Sequence, residues 1–336
     1  MTPPAPSHTP TQIHPLVFGY GFANDGTPTP LSWEDVTSGK LAEFRRYWLH
    51  LNRLSEAAQE WLSNSSGVDE LAADALLQED TRPRAVRHGK GFLINLRGMN
   101  LNEGEAREDM LALRMWASET SLITLRAKRI QAARDVEASM REGDVPNSTG
   151  GLVASLAEAL TNRMEPEIAQ FDEQADEFED QLLDADNRLP RSALSEFRRR
   201  VLQVRRYIMP QRDALAQLVR EGAQAGLFSD YDMMYLRESA DRVTRLSEEL
   251  ETIRDRSTVL QEQVIEARGE IMNQRLFVLS ILSAVFLPIS FVTGLFGVNI
   301  GGMPGVHSPT AFAILVGALA AATLLMLAIF RWRRWI

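Results

Sequence analysis

The chain of 336 residues contains no cysteine. Disulfides, thiolate metal sites and cysteine nucleophiles are therefore excluded, and any metal chemistry falls to oxygen or imidazole ligands. Imidazole is scarce too: the five histidines are His8, His14, His50, His88 and His307, and no two are spaced i, i+4. Positive charge is the minority sign. The 36 Lys+Arg against 45 Asp+Glu give a formal net charge of −9, which argues against a nucleic-acid partner. Enzyme signatures are missing as well, with no HExxH, GxSxG or GKS/T. The stretch GYGFANDG (19–26) mimics a phosphate loop, but Asn24 stands where GxGxxG needs its third glycine, and no long helix is expected after it. The chain reads as a non-enzyme without a cofactor.

Long uncharged apolar runs are absent before residue 276 and then come twice. Leu276–Phe296 and Thr310–Phe330 each hold 21 residues without a charge. A helix needs about 20 such residues to cross a hydrocarbon core of roughly 30 Å, so both read as transmembrane helices in a lipid bilayer. Arg268 and Arg275 precede the first run, and Arg331, Arg333 and Arg334 follow the second. The loop between, 297–309, has neither Lys nor Arg, so the positive-inside rule puts both termini in the cytoplasm and the loop outside. Trp332 and Trp335 fit an interfacial anchor within a short basic tail, 331–336. The N-terminal MTPPAPSHTPTQ lacks an apolar core, so residues 1–12 are expected to be a disordered tail rather than a signal peptide.

Residues 13–128 have the pattern of a cytosolic α/β domain. Short β-prone runs lie at 15–22, 47–52, 91–98, 111–117 and 122–127, and helical spacing at 54–64 and 68–78 separates them. A small sheet with helices packed on it is expected. Residues 129–275 read almost entirely as helix and form a stalk. Within it, 165–186 carries ten acidic residues and no basic one, the pattern of a solvated helix face. Arg191–Arg220 is Arg-rich and is expected to break at MPQR (209–212). From about Ser229 there is no Gly before Gly269 and no Pro before Pro288, so one helix is expected to run unbroken into the first apolar segment.

Two faces are legible on that helix. Val243, Leu246, Leu250, Ile253, Ser257, Leu260, Val264, Ala267 and Ile271 step alternately by 3 and 4, a coiled-coil-like seam expected to pack on neighbouring helices. A second stripe in the same rhythm lies roughly opposite. It begins with Glu248, Thr252, Asp255, Val259, Glu262, Glu266, Gly269 and Asn273. It continues through Leu276, Ser280, Ser283, Leu287, Ser290 and Gly294. The acids suit a solvated face and the hydroxyls bonds back to their own helix; the same stripe suits a helix contact or a water-filled path. Two spans cannot enclose a pore alone. Several copies around an axis can, and each stripe residue then becomes a ring of identical groups. Repeated carboxylates raise the local cation concentration, and polar rings replace water around an ion.

The loop opens with GLFGVNIGGMPG (294–305), in which Gly294 and Gly297 bracket the end of the first apolar run. Asn299 carries both an amide donor and a carbonyl acceptor, so a ring of Asn299 would make an uncharged, oxygen-lined entry. Gly297-Val298-Asn299 at this place resembles the Gly-Met-Asn signature of the CorA superfamily of divalent-cation transporters, in the variant typical of its ZntB zinc-transport branch. WLHLNR (48–53), ALLQEDTRPR (75–84), FLINLRGMNLN (92–102) and LRMWASETSLITLR (113–126) resemble the same branch. A literal Gly-Met-Asn at Gly98–Asn100 has no apolar run before it and carries no such weight.

The resemblance implies a homopentameric funnel in the bacterial inner membrane. The long helix lines the pore, the second span surrounds it, and Asn299 stands at the periplasmic entrance. It implies Zn²⁺ as the transported ion, with proton coupling; a CorA-like Mg²⁺/Co²⁺ channel gated by cytosolic divalent metal, or zinc efflux, stays open. In this family acidic helices such as 165–186 are also thought to concentrate cations near the inner mouth. The loop has no carboxylate, and its one titratable side chain, His307, is a candidate for transient zinc binding or protonation. His50 falls in a β-prone run, and both it and His88 read as packed or surface histidines.

Overall fold

The computed structural model describes residues 13–79, 81–183, 190–298, 304–305 and 307–333. The chain forms two compact units, residues 1–261 and 262–336.

The first unit is built on a seven-stranded sheet. In chain order the strands are β1 (Leu16–Phe22), β2 (Pro28–Pro30), β3 (Arg46–Asn52), β4 (Arg84–His88), β5 (Gly91–Gly98), β6 (Leu111–Ala117) and β7 (Ser121–Arg126). Their order across the sheet is β2-β1-β3-β7-β6-β5-β4. Only β3 and β7 pair in parallel, Trp48 lying beside Leu122 and His50 beside Thr124. The other pairings are antiparallel. Trp48, Leu49, His50 and Leu51 are all buried, so β3 is covered on both faces. That double burial is why its sequence reads as a continuous apolar run rather than an alternation.

One face of the sheet is covered by α2 (Glu56–Asn64) and α3 (Glu70–Leu77), which follow the short α1 (Trp33–Thr37). Ala58, Trp61, Leu62, Ala72 and Leu76 cluster there with Leu49, Leu51, Ile123 and Leu125. α4 (Gln131–Arg141), α5 (Thr149–Leu183) and α6 (Arg191–Ala225) follow in the chain. α5 and α6 contact β5. Gly98 at the end of β5 permits this approach, because a Cβ there would meet Leu160 Cδ2 at 2.7 Å. The Gly-Met-Asn decoy thus has a structural use. Asn100 is buried, donates to Glu105 Oε2 at 2.7 Å and accepts from Asn102, fixing the loop after β5.

Two strands escaped the sequence. β2 is three residues long with proline at both ends, and β4 reads RAVRH; both sit at sheet edges, where the pattern signal is weakest. The expected break at MPQR does not occur. α6 is one helix of 35 residues with Pro210 inside it. Proline removes one backbone donor, but Ile208 before it and Leu215 after it are fully buried, so packing holds the helix together.

α7 runs from Asp230 to Phe296 as a single helix of 67 residues. Its turn from α6 is clamped on α5: a Cβ on Gly150 would lie 2.5 Å from the carbonyl oxygen of Leu227 and 2.8 Å from the Phe228 ring. Gly150→Ala is therefore expected to destabilise the fold by about 1–3 kcal/mol, the usual range for overpacking. Chemical denaturation of the full chain measures it, and an unchanged midpoint would sink this account of the clamp.

In the first unit the seam of α7 is buried as its spacing predicts, from Val243 through Leu260. Ser257 sits in it fully buried, its hydroxyl donating to the carbonyl of Arg254 at 2.6 Å. Ion pairs flank the seam. Arg205 of α6 reaches Glu251, and Arg242 of α7 grips Glu165 of α5 at 2.7 Å. In the second unit the seam ends: Val264 is still buried, but Ala267 is exposed and Ile271 only half-buried. There α7 and α8 (Ala311–Trp332) are the two helices, each long and apolar enough to cross a membrane. Ile281, Val285, Ile289 and Val292 of α7 are half-covered, as are Leu315, Leu319, Thr323 and Met326 of α8. Both sets recur every three or four residues, the spacing of one helix face laid on another.

Candidate transport path and family

The candidate site residues lie on the face of α7 left bare. In the first unit Glu248 and Asp255 are exposed, on the side of the helix away from the buried Leu250–Leu260 seam. Asp255 is paired with its neighbour Arg254 at 2.6 Å. In the second unit Glu262, Glu266, Asn273, Leu276, Ser280, Ser283, Leu287, Ser290 and Gly294 are all exposed. At about 100° per residue, Ser280 to Gly294 cluster on the side of α7 opposite Ile281, Val285, Ile289 and Val292. The stripe therefore faces neither the seam nor the half-covered face.

Two of the three stripe serines bond back to their own helix. Ser280 Oγ donates to the carbonyl of Leu276 at 2.8 Å and Ser283 Oγ to that of Leu279 at 2.9 Å. This spends each proton inward and leaves the oxygen lone pairs turned outward, so each of the two presents an acceptor only. An acceptor-only surface suits a cation. Leu276 and Leu287 are 54% and 69% exposed, comparably to apolar side chains on the lateral faces of the helix such as Leu279 and Phe286.

At the end of the run the Gly297 amide donates to the carbonyl of Thr293 at 2.9 Å, closing the last turn. Val298 is exposed. Asn299 lies outside the described residues. His307 is exposed in the loop. Among the described residues, no three Asp, Glu or His side chains are placed to hold a metal ion together.

The acidic stretch after Glu165 is different from a bare solvated face. Arg256 of α7 donates to Asp172 at 2.7 Å, to Glu179 at 2.9 Å and to Asp176. Glu167 is held by Arg107 and Glu165 by Arg242. The Glu179 and Asp176 hydrogen bonds raise the Arg256 guanidinium above its already high ordinary pKa. Glu173, Glu177 and Asp180 remain exposed. Sequence reasoning missed this clamp because its partners are 77 to 84 residues apart. Arg256→Gln is expected to lower stability by only about 1 kcal/mol, since the carboxylates are half-exposed and water screens them. That loss should shrink in high salt; a salt-independent loss in denaturant titrations would point to packing instead.

The two β-strand histidines are structural. His88 Nε2 lies 2.8 Å from Asp69, which also caps α3 through the Leu71 amide. His50 is fully buried, stacked on Phe18 with ring centroids 4.8 Å apart. Its Nδ1 is 2.8 Å from Thr124 Oγ1. That hydroxyl also accepts from Trp48 Nε1 and donates to the Leu49 carbonyl, so the His50 ring donates from Nδ1. Burial, aided by Arg126 and Arg134, brings its pKa down to about 3.

A model of the CorA-like Mg²⁺ transporter protein family matches residues 45–334, which spans both units and both apolar helices. The chain belongs to the CorA family. It is 38% identical over 311 residues to the divalent cation transporter CmaX of Pseudomonas aeruginosa, covering 91% of this chain and 93% of that protein. It is 34% identical over 311 residues to the zinc transport protein ZntB of Pectobacterium atrosepticum, covering 90% and 93%. The solved structure of full-length CmaX superposes with a TM-score of 0.82 at 36% identity, over 96% of this chain and 98% of that one. The CorA-like architecture expected from the sequence is the observed one: an N-terminal α/β sheet domain, a long helix and two C-terminal apolar helices. The similar CorA-family proteins are transporters by description, not enzymes.

Proposed function

We propose that this CorA-family protein moves divalent cations, zinc foremost, across the bacterial inner membrane as a homopentamer with the α7 stripe lining the path. The observation that carries the reading is the bare face of α7. Over the apolar stretch it holds serine, glycine and two highly exposed leucines, and it lies opposite the half-covered face. Five copies of such a face around an axis bury the leucines against one another and leave the hydroxyl oxygens to the ion. Glu248, Asp255, Glu262 and Glu266 become carboxylate rings in the cytosol, where residues 13–275 and both termini lie. Gly297, Val298 and Asn299 form the outer lip, and His307 stands beside it.

Zinc is favoured over magnesium by two features. Val298 replaces the methionine of the commoner signature, and the loop 297–309 has no carboxylate to capture a hexahydrated dication. Mg²⁺ gives up its water reluctantly, so an uncharged lip serves it poorly. The family description names Mg²⁺, which keeps a Mg²⁺-type channel as the second reading.

Flux into sealed vesicles containing a pH-sensitive dye tests both. Zn²⁺ entry accelerated by an inward proton gradient, with proton movement alongside, is the expected result. Mg²⁺ flux indifferent to the gradient, with no Zn²⁺ flux, would overturn the zinc–proton reading and leave the second.

A further inference from the structure

We propose that Arg268, Arg275, Arg331 and Arg333 form a docking surface for the anionic headgroups of phospholipids at one end of the two apolar helices. In the first unit some arginines are held by carboxylates, as at Arg107, Arg163, Arg242 and Arg256. Others there, such as Arg45, Arg129, Arg220 and Arg237, are exposed without an ion pair among the described residues, but they have acidic neighbours in the sequence. Arg268, Arg275, Arg331 and Arg333 are exposed, and among the described residues none of them forms an ion pair. What sets this end of the chain apart is visible in the sequence. A chain of net charge −9 has no Asp or Glu after Glu270, so beyond that point every formal side-chain charge is an arginine.

Arg275, Arg331 and Arg333 lie near one level, and Arg268 stands two turns, about 10 Å, beyond it. Arg275 is 21 residues before Phe296, and Arg331 is 20 residues after Ala311. At 1.5 Å per residue both lie about 30 Å from the connecting loop, the thickness of a hydrocarbon core. Arg268 and Arg275 are seven apart and so share a helix face, which lies on the far side of α7 from Glu262, Glu266 and Asn273. They point away from the proposed ion path. Glu266 and Glu270 are the acidic neighbours on α7. Trp332 is 80% exposed, and the Arg333 guanidinium lies 5.6 Å from its ring centroid. An indole with an arginine over it is the side-chain pair suited to the boundary of acyl chain and headgroup. Each guanidinium fork matches two oxygens of a phosphodiester. The occupant is thus an anionic phospholipid and not a soluble protein.

This rests on the reading that α7 and α8 span a membrane, and not on which cation crosses. Full-length protein in detergent is equilibrated with equal amounts of phosphatidylglycerol and phosphatidylcholine, and retained lipid is counted by native mass spectrometry. Phosphatidylglycerol should be retained in clear excess, and less so in high salt. Each arginine near an anionic surface contributes about fivefold, so Arg331→Gln with Arg333→Gln should cut the preference by roughly 25-fold. Should that pair fail to insert, Arg331→Lys with Arg333→Lys keeps the charge and loses the fork, and a drop of a few-fold is expected. Equal retention of the two lipids by the unaltered protein, or a preference untouched in these variants, overturns the proposal. Because no flux is measured, failure here leaves the transport reading standing, and failure of transport leaves this one.

Discussion

Asn299→Ala is expected to lower Zn²⁺ flux by at least about tenfold while leaving the protein folded and inserted. A hydrogen bond or oxygen contact to a charged group is worth about 1.5–3 kcal/mol, and about 1.4 kcal/mol is one decade. In a ring the loss repeats in every subunit at the point where the ion first sheds water. The comparison that makes the experiment decisive is Asn100→Ala, in the second Gly-Met-Asn of the same chain. Asn100 is buried and tied to Glu105 and Asn102, so its loss should lower the unfolding midpoint. Radioactive or dye-reported Zn²⁺ uptake in vesicles, normalised to inserted protein, separates the two. Intact flux in Asn299→Ala would remove the outer lip from the pathway, and with it the main reason for a pore built on α7.

What the sequence revealed and what it hid divide along physical lines. β5 and β6 were legible residue for residue, because GFLINLRG and LALRMWA combine β-prone residues with turn signals on either side. The length of α7 was legible from missing breakers, since only Gly269, Pro288 and, two residues from its end, Gly294 interrupt a run that packing and the apolar stretch hold in one helix. The stripe was legible as periodicity, and so was the fact that it avoids the seam. Pairings were not. Nothing local to Asp172, Asp176 and Glu179 indicates that one arginine, far along the chain, will gather all three. Pro210 misled for the related reason that a local penalty of a few kcal/mol is overridden by buried side chains on both flanks. The seam also outran its packing: the 3/4 rhythm continues to Ile271, but Ala267 is exposed. Periodicity records which face is apolar, and only the fold shows what covers it.

Stability should fall on mild acidification because of His50, and the sign can be worked from its burial. Unfolded, the imidazole titrates at its ordinary 6.5; folded, burial holds it neutral down to about 3. Below 6.5 the unfolded chain binds a proton that the fold refuses, so the contribution of His50 is complete above 6.5 and is lost as pH falls towards 3. Each unit is worth about 1.4 kcal/mol, so roughly 2 kcal/mol should disappear between pH 6.5 and pH 5. The carboxylates held below their ordinary values by partners, such as Glu165 by Arg242 and Glu105 by Lys128, lose their contribution mainly below about pH 4.5 and leave that window nearly clear. Glu249, raised by burial, acts in the opposite direction there and is the same in every variant compared. His50→Asn places an amide nitrogen near the position of Nδ1 and keeps a donor for Thr124, but it cannot titrate. Its lost ring leaves a cavity, so its midpoint at pH 7 should be lower than that of the unaltered chain. Its denaturation midpoint should nevertheless change much less between pH 6.5 and pH 5. Parallel pH profiles for the two proteins would mean that His50 is protonated within the fold, and that the Trp48–Thr124–His50 network is held together in some other way.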